Sequence, residues 1–249
     1  MQDKNNNSVA QVINPQGRAK FTLICEHASN HIPEQYNNLG LPREALDRHI
    51  AWDIGAEAVA RALSQHLDAP LILQTQSRLL YDCNRPPSAQ DAIPALSETT
   101  KIPGNENLST QARAQRADDI YYPFHRAIST LLDQRGESII VTIHSFTPSY
   151  RGEYRGVDIG IINDTDARWA QALTEIAQRQ SDYNVRLNEP YSAADGVTHT
   201  LQLHGTARGN SNVMIEIKNT LISTPPGQQA FAQLLATMLE EASATQDIE

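Results

Sequence analysis

A chain of 249 residues with 40% hydrophobic and 20% charged side chains can build one substantial core and does not have the composition of a disordered protein. A formal net charge of −9 argues against an electrostatic nucleic-acid binder, which needs a basic face to neutralise phosphates. No apolar run approaches the ~18 residues needed to cross a bilayer, and the two cysteines, Cys25 and Cys83, make neither a disulfide framework nor a CxxC metal knuckle. The expectation is a cytoplasmic protein with no membrane or nucleic-acid partner.

Residues 1–19 are polar and aperiodic and read as a flexible lead-in to one domain, 20–249. Phe21–Cys25 is strand-like. From Pro42 to about Leu67 the apolar spacing (Leu46, Ile50, Ile54, Val59, Leu63) predicts a helix, and Leu71–Leu73 and Leu79–Tyr81 predict short strands. Residues 83–108 hold four prolines and little periodicity, which predicts a long irregular loop of the kind that often carries function. Ser109 is an N-cap candidate for a helix to about Arg135, and Ser138–Ile143 reads as a buried strand. Val157–Ile162, a helix over 166–179, strands at Tyr183–Leu187 and Val213–Ile217, and a helix from about Gln228 to Glu241 complete the order. Strands separated by helices of this length predict a single-domain α/β fold of three layers, with a mixed, mostly parallel sheet between helices.

Loops that follow parallel strands collect at one edge of the sheet, so residues far apart in sequence converge there. That rule gathers Glu26, His27 and Asn30 after the first strand, Asp82, Asn84 and Arg85 of YDCNRP, His144 after SIIVTI, and Glu216 of VMIEIK. Two histidines and several acids at strand ends are the ingredients of a catalytic zinc site, which uses three protein ligands and leaves one position for water. His27 and His144 are the first two candidates; Asp53 of HIAWDIGA competes for the third place with Asn30, whose neutral amide is the weaker ligand. Glu216, a carboxylate in an apolar strand, suits a general base. Arg85 and Asn84 suit a substrate carboxylate, Arg78 a polarised carbonyl, and Asp82 the far N–H of a ligating imidazole. HSFTPSYRG, NEPYS and LHGTARGN read as loops at the mouth of the site, with Arg208 in the last adding positive charge.

LICEHASNHIP, HIAWDIGA, SRLLYDCNRP, IPGN, YYPFH, IHSFTP, NEPYS and the HG…MIEIKN ending together resemble the N-formylglutamate amidohydrolase family over nearly the whole chain. The resemblance implies a zinc-dependent amidohydrolase with a fold similar to the zinc carboxypeptidases and the phosphorylase/hydrolase-like group, which includes aspartoacylase-like deacylases. In that reading His27 and His144 hold Zn²⁺, Glu216 shuttles the proton, Arg78 stabilises the oxyanion, and Asn84 with Arg85 holds a substrate carboxylate; the residues themselves add Arg208 to the substrate-binding set and Asp82 and Asn30 as supports of the ligands. Asn30 stands where the wider group has a glutamate ligand, which leaves the third ligand open among Asp53, Asn30 and Glu26. The implied reaction is N-formyl-L-glutamate to formate and L-glutamate. Its alternatives are a carboxypeptidase-like hydrolase of another N-acyl amino acid or a short peptide, and a non-catalytic binding protein on the same fold.

Overall fold

The computed structural model describes residues 8–246; residues 1–7, the start of the expected lead-in, lie outside the described residues. The strands are β1 (Ala10–Ile13), β2 (Phe21–Cys25), β3 (Leu71–Gln74), β4 (Leu96–Ser97), β5 (Thr100–Lys101), β6 (Ile139–Phe146), β7 (Ser149–Tyr150), β8 (Glu153–Tyr154), β9 (Ile159–Ile162), β10 (Val185–Leu187) and β11 (Asn212–Lys218). The α-helices are α1 (Arg43–Leu46), α2 (Ala56–Leu67), α3 (Thr110–Arg116), α4 (Tyr122–Arg135), α5 (Arg168–Gln180) and α6 (Pro225–Gln246). Seven strands form one sheet in the order β1-β3-β2-β6-β11-β9-β10, while β4–β5 and β7–β8 are separate hairpins. The central strands β3, β2, β6 and β11 are mutually parallel, β1 and β9 join antiparallel to them, and β10 runs parallel to β9. The sheet is therefore mixed and mostly parallel, as expected.

Helices cover both faces, which is why β2, β3, β9 and β11 are buried along their whole length and read as near-continuous apolar runs. One face receives Val59, Leu63 and Leu67 of α2 and Phe231, Leu235 and Leu239 of α6, each set at four-residue steps, together with Trp169 and Leu173 of α5. The other receives Phe124, Ile128 and Leu131 of α4 against Ile24, Ile72, Ile140 and Met214 of the sheet. Each such side chain contributes about 2 kcal/mol by leaving water. Both cysteines are free and buried. Among the described residues no helix is long and apolar enough to cross a membrane.

Several expectations differ from the structure. Residues 10–13 of the lead-in are an edge strand: β1 pairs with β3 from Ala10↔Gln74 to Ile13↔Leu71. The helix expected from Pro42 to Leu67 is two helices interrupted at 47–55. Gly55 breaks it with φ 85°, and a Cβ there would lie 2.3 Å from the Ile222 carbonyl oxygen. Asp53 N–H meanwhile donates to the His27 carbonyl at 2.9 Å, which draws the interruption to the end of β2. Leu79–Tyr81 is a buried turn, because its backbone finds partners other than a neighbouring strand. Leu80 N–H bonds back to the Ser77 carbonyl at 2.9 Å, and the Leu79 carbonyl accepts from Asn105 Nδ2 at 2.8 Å.

Candidate active site

β6 and β11 are parallel neighbours with His144 opposite Glu216, so the two side chains enter the same edge of the sheet. His144 lies within β6, which continues to Phe146, rather than after it. His27 follows β2, Asp53 comes from the interruption between α1 and α2, and Arg78 and Asp82 come from the buried turn after β3. His27, Asp53, Arg78, Asp82, His144 and Glu216 line one cavity of about 530 Å³. The 83–108 loop forms part of its wall through Asn84, Arg85, Asp91, Leu96 and Glu98, and Tyr150, Arg151 and Tyr191 line it as well.

Asp53 Oδ2 is the meeting point. It lies 3.3 Å from His27 Nδ1 and 2.9 Å from His144 Nδ1, and it accepts the Ser145 N–H at 3.2 Å. Behind each imidazole stands another carboxylate: Asp82 Oδ1 is 2.7 Å from His27 Nε2, and Glu26 Oε2 is 3.1 Å from His144 Nε2. Arg78 bridges the acids, with Nη1 3.4 Å from Asp53 and Nη2 2.8 Å from Asp82.

The electrostatics follow from this geometry. Burial alone would raise Asp53 and Asp82, but the imidazoles around Asp53, and His27 with Arg78 at Asp82, outweigh it and hold both well below the usual carboxylate range. Burial disfavours charge on His27 and His144, yet the facing carboxylates raise both. Glu216 goes the other way: burial, assisted by Asp53, pushes its carboxyl up to about 7 against the pull of His144.

With neutral imidazoles the buried group holds Glu26, Asp53 and Asp82 against the single positive charge of Arg78, a deficit that suits a divalent cation. His27, Asp53 and His144 each offer one ligand atom, and the three atoms lie within 4.8 Å of one another. These residues fit zinc, which takes imidazole nitrogen and carboxylate oxygen. Of the alternatives for the third position, Asp53 is in the set. Asn30 is turned away, donating Nδ2–H to the Leu46 carbonyl at 3.0 Å and lying 3.4 Å from Asp47, so that among the described residues its amide nitrogen anchors the end of α1 and not a ligand.

Arg208 also stands apart from the cavity, paired with Asp133 of α4, because the 201–208 segment packs on the helix that covers the sheet. Asn84 lines the cavity but spends its amide on the scaffold, donating to the Val197 carbonyl at 2.5 Å and accepting the Thr200 N–H at 3.0 Å. Arg85 is tied through Nε to Asp91 at 2.9 Å and through Nη1 to the Gly196 carbonyl at 2.8 Å. Its Nη2 has no hydrogen-bond partner among the described residues.

Residue-type reasoning missed Tyr191 and Arg155. The Arg155 guanidinium lies 4.7 Å from the Tyr150 ring centroid and 4.8 Å from that of Tyr191, and donates to the Tyr191 hydroxyl at 2.8 Å. Only NEPYS, read as a mouth loop, hinted at this. The turn carrying it reaches the sheet because Gly160 has no Cβ, which would sit 2.1 Å from the Glu189 carbonyl oxygen.

A second histidine group backs the YDCNRP turn. His125 Nε2–H donates to the Cys83 carbonyl at 2.9 Å, so its Nδ1 is the acceptor for His204 Nε2–H at 2.8 Å. Burial lowers His125 to about 4 and His204 to about 3, with His199 and Arg208 among the charges that disfavour protonation. Unfolded imidazoles protonate near the ordinary 6.5, so the stability held by these neutral rings is complete above that value and is lost as pH falls towards 4. For His125 the loss is on the order of 3 kcal/mol. Melting temperature measured between pH 7 and 4.5 should fall steeply in the native chain and less in His204→Gln; equal falls would show that the pair is not the cause.

No curated protein matches the chain. The crystal structure of gene product Atu2144 from Agrobacterium tumefaciens is 44% identical, superposes with a TM-score of 0.94 and is matched over 96% of each chain. The crystal structure of N-formylglutamate amidohydrolase from Ralstonia eutropha JMP134 is 19% identical over 97% of this chain and 100% of that one, with a TM-score of 0.64, a likeness of fold. The family model for N-formylglutamate amidohydrolase matches residues 19–223, and the chain belongs to that family.

Proposed function

We propose that this chain hydrolyses the amide bond of an N-acyl amino acid, with N-formyl-L-glutamate giving formate and L-glutamate as the first candidate, and that it uses one zinc ion. The observation that carries the reading is the meeting, in one cavity, of the His27–Asp53–His144 set with the buried Glu216 carboxyl opposite His144. The family membership agrees with it.

Zinc bound by His27, Asp53 and His144 would polarise the substrate carbonyl and acidify a water. Glu216, buried in β11 opposite His144, takes the proton of the attacking water and returns it to the departing amine nitrogen. Arg78, fixed by Asp53 and Asp82, places a permanent positive charge where the carbonyl oxygen gains electron density. Asp82 holds His27 by its far nitrogen. Arg85 offers Nη2 to a substrate carboxylate, and Asn84 keeps the turn that carries Arg85 in place.

The test is glutamate release from N-formyl-L-glutamate by chelator-treated protein before and after zinc is restored. Release that stops with the metal and returns with it supports the proposal. Folded, zinc-loaded protein that leaves this compound intact but cleaves N-acetyl amino acids or dipeptides reassigns the substrate, and metal-free turnover equal to the loaded rate removes zinc from the reaction.

A further inference from the structure

We infer that Glu26 is the positioning residue of His144, the counterpart at that ring of Asp82 at His27. The inference rests on the metal site proposed above and concerns a residue that does not line the cavity.

The backbone explains why Glu26 serves the distant histidine and not its neighbour. The chain turns directly after β2 at Glu26 and His27, and their side chains meet different partners, Glu26 the His144 ring and His27 the Asp53 and Asp82 carboxylates. The parallel ladder of β2 and β6 ends at Ile24 opposite Thr142; the turn that follows continues in the same direction and brings Glu26 Oε2 to 3.1 Å from His144 Nε2. The Glu26 side chain is 0% exposed and that of His144 2%. Among the described residues no well-aligned hydrogen bond reaches either Glu26 oxygen or His144 Nε2, and the two groups face one another at 3.1 Å, with Thr200 also close enough to lower the Glu26 carboxyl. A carboxylate sealed from water is costly unless it meets a positive charge or a donor, and the His144 ring is the ion-pair partner within reach.

The consequence is a fixed tautomer. Without a cation both nitrogens of each ring face a carboxylate; with zinc held at Nδ1 beside Asp53, Glu26, which only accepts, keeps the ring proton on His144 Nε2, as Asp82 does on His27 Nε2. Both Nδ1 atoms face the same point beside Asp53 Oδ2, at 2.9 Å for His144 and 3.3 Å for His27. Glu26 adds a negative charge behind the ligand, which strengthens the imidazole as a donor and offsets part of the cation's charge.

The experiment compares Glu26→Gln with the native full-length chain, each stripped of metal and titrated with zinc against a chromophoric chelator. Glutamine keeps the shape and an acceptor oxygen but removes the charge. A 10- to 100-fold weaker zinc affinity, about the loss that follows removal of an outer carboxylate, supports the inference. Unchanged affinity in a folded variant overturns it. The second measurement needs no variant: ¹⁵N NMR of the zinc-loaded native chain should show His144 protonated at Nε2 with the metal at Nδ1, and the opposite assignment overturns the inference. A native chain that takes up no zinc fails earlier, at the metal site itself, and is thereby told apart from a failure of Glu26.

Discussion

Glu216→Gln should lower the turnover of N-formyl-L-glutamate by about 10²- to 10⁴-fold, the range lost with a general acid–base group, while leaving zinc content and melting temperature near native values. The residue is buried in β11 opposite His144 and lines the cavity, and its Oε2 has no hydrogen-bond partner among the described residues. Glutamine therefore removes the proton acceptor without breaking a scaffold contact at that atom. It cannot be deprotonated near neutrality, so the deficit should not be recovered by raising pH. Single-turnover kinetics across pH 5–9 and metal analysis of the same preparation check both halves of the expectation. Turnover within a few-fold of native would remove Glu216 from the chemistry.

Asp53→Asn should act on the metal first and on turnover as a consequence. One carboxylate oxygen of Asp53 faces both imidazoles and the Ser145 N–H, and the other faces Arg78. The amide oxygen of asparagine still accepts from Ser145, but the charge that draws a cation to this point is gone. The loss in zinc affinity should exceed the 10- to 100-fold typical of an outer partner, because Asp53 is placed as a ligand. Turnover at limiting zinc should fall with it and recover in part when zinc is raised. Full zinc occupancy at native affinity would return the third-ligand position to the other acids. Equilibrium dialysis against zinc, followed by the glutamate-release assay at each free concentration, separates the two effects.

The chemistry-bearing residues were legible where a local pattern forced the issue. Glu216 stood out because a carboxylate in V-M-I-E-I breaks an apolar run, and His27 and His144 because each sits at or near the end of one. Their convergence followed from the parallel sheet, whose pairing of β2, β6 and β11 puts these positions at one edge. Glu26 was harder to place. It looked like an alternative ligand because it adjoins His27 in sequence, whereas the turn after β2 carries it to the far nitrogen of His144. Arg208 and Asn30 misled for the opposite reason: residue type suited the site, but Asp133 and the Leu46 carbonyl claim them first.

By itself the sequence determined most of the main strands and helices from Phe21 onward, the apolar faces that build a sheet between helices, and the inventory of imidazoles and acids, because these depend on periodicity and residue type within a few residues. Only the tertiary structure decided that 10–13 pairs with β3, that the run from Pro42 breaks at Gly55, and which carboxylate stands behind which imidazole. Those outcomes turn on close approaches between segments far apart in the chain: the Ile222 carbonyl against Gly55, the turn after β2 that carries Glu26 to His144, and three loops that bring His27, Asp53 and Asp82 within hydrogen-bond reach. No local pattern encodes such distances, since each is the joint result of how both partners pack.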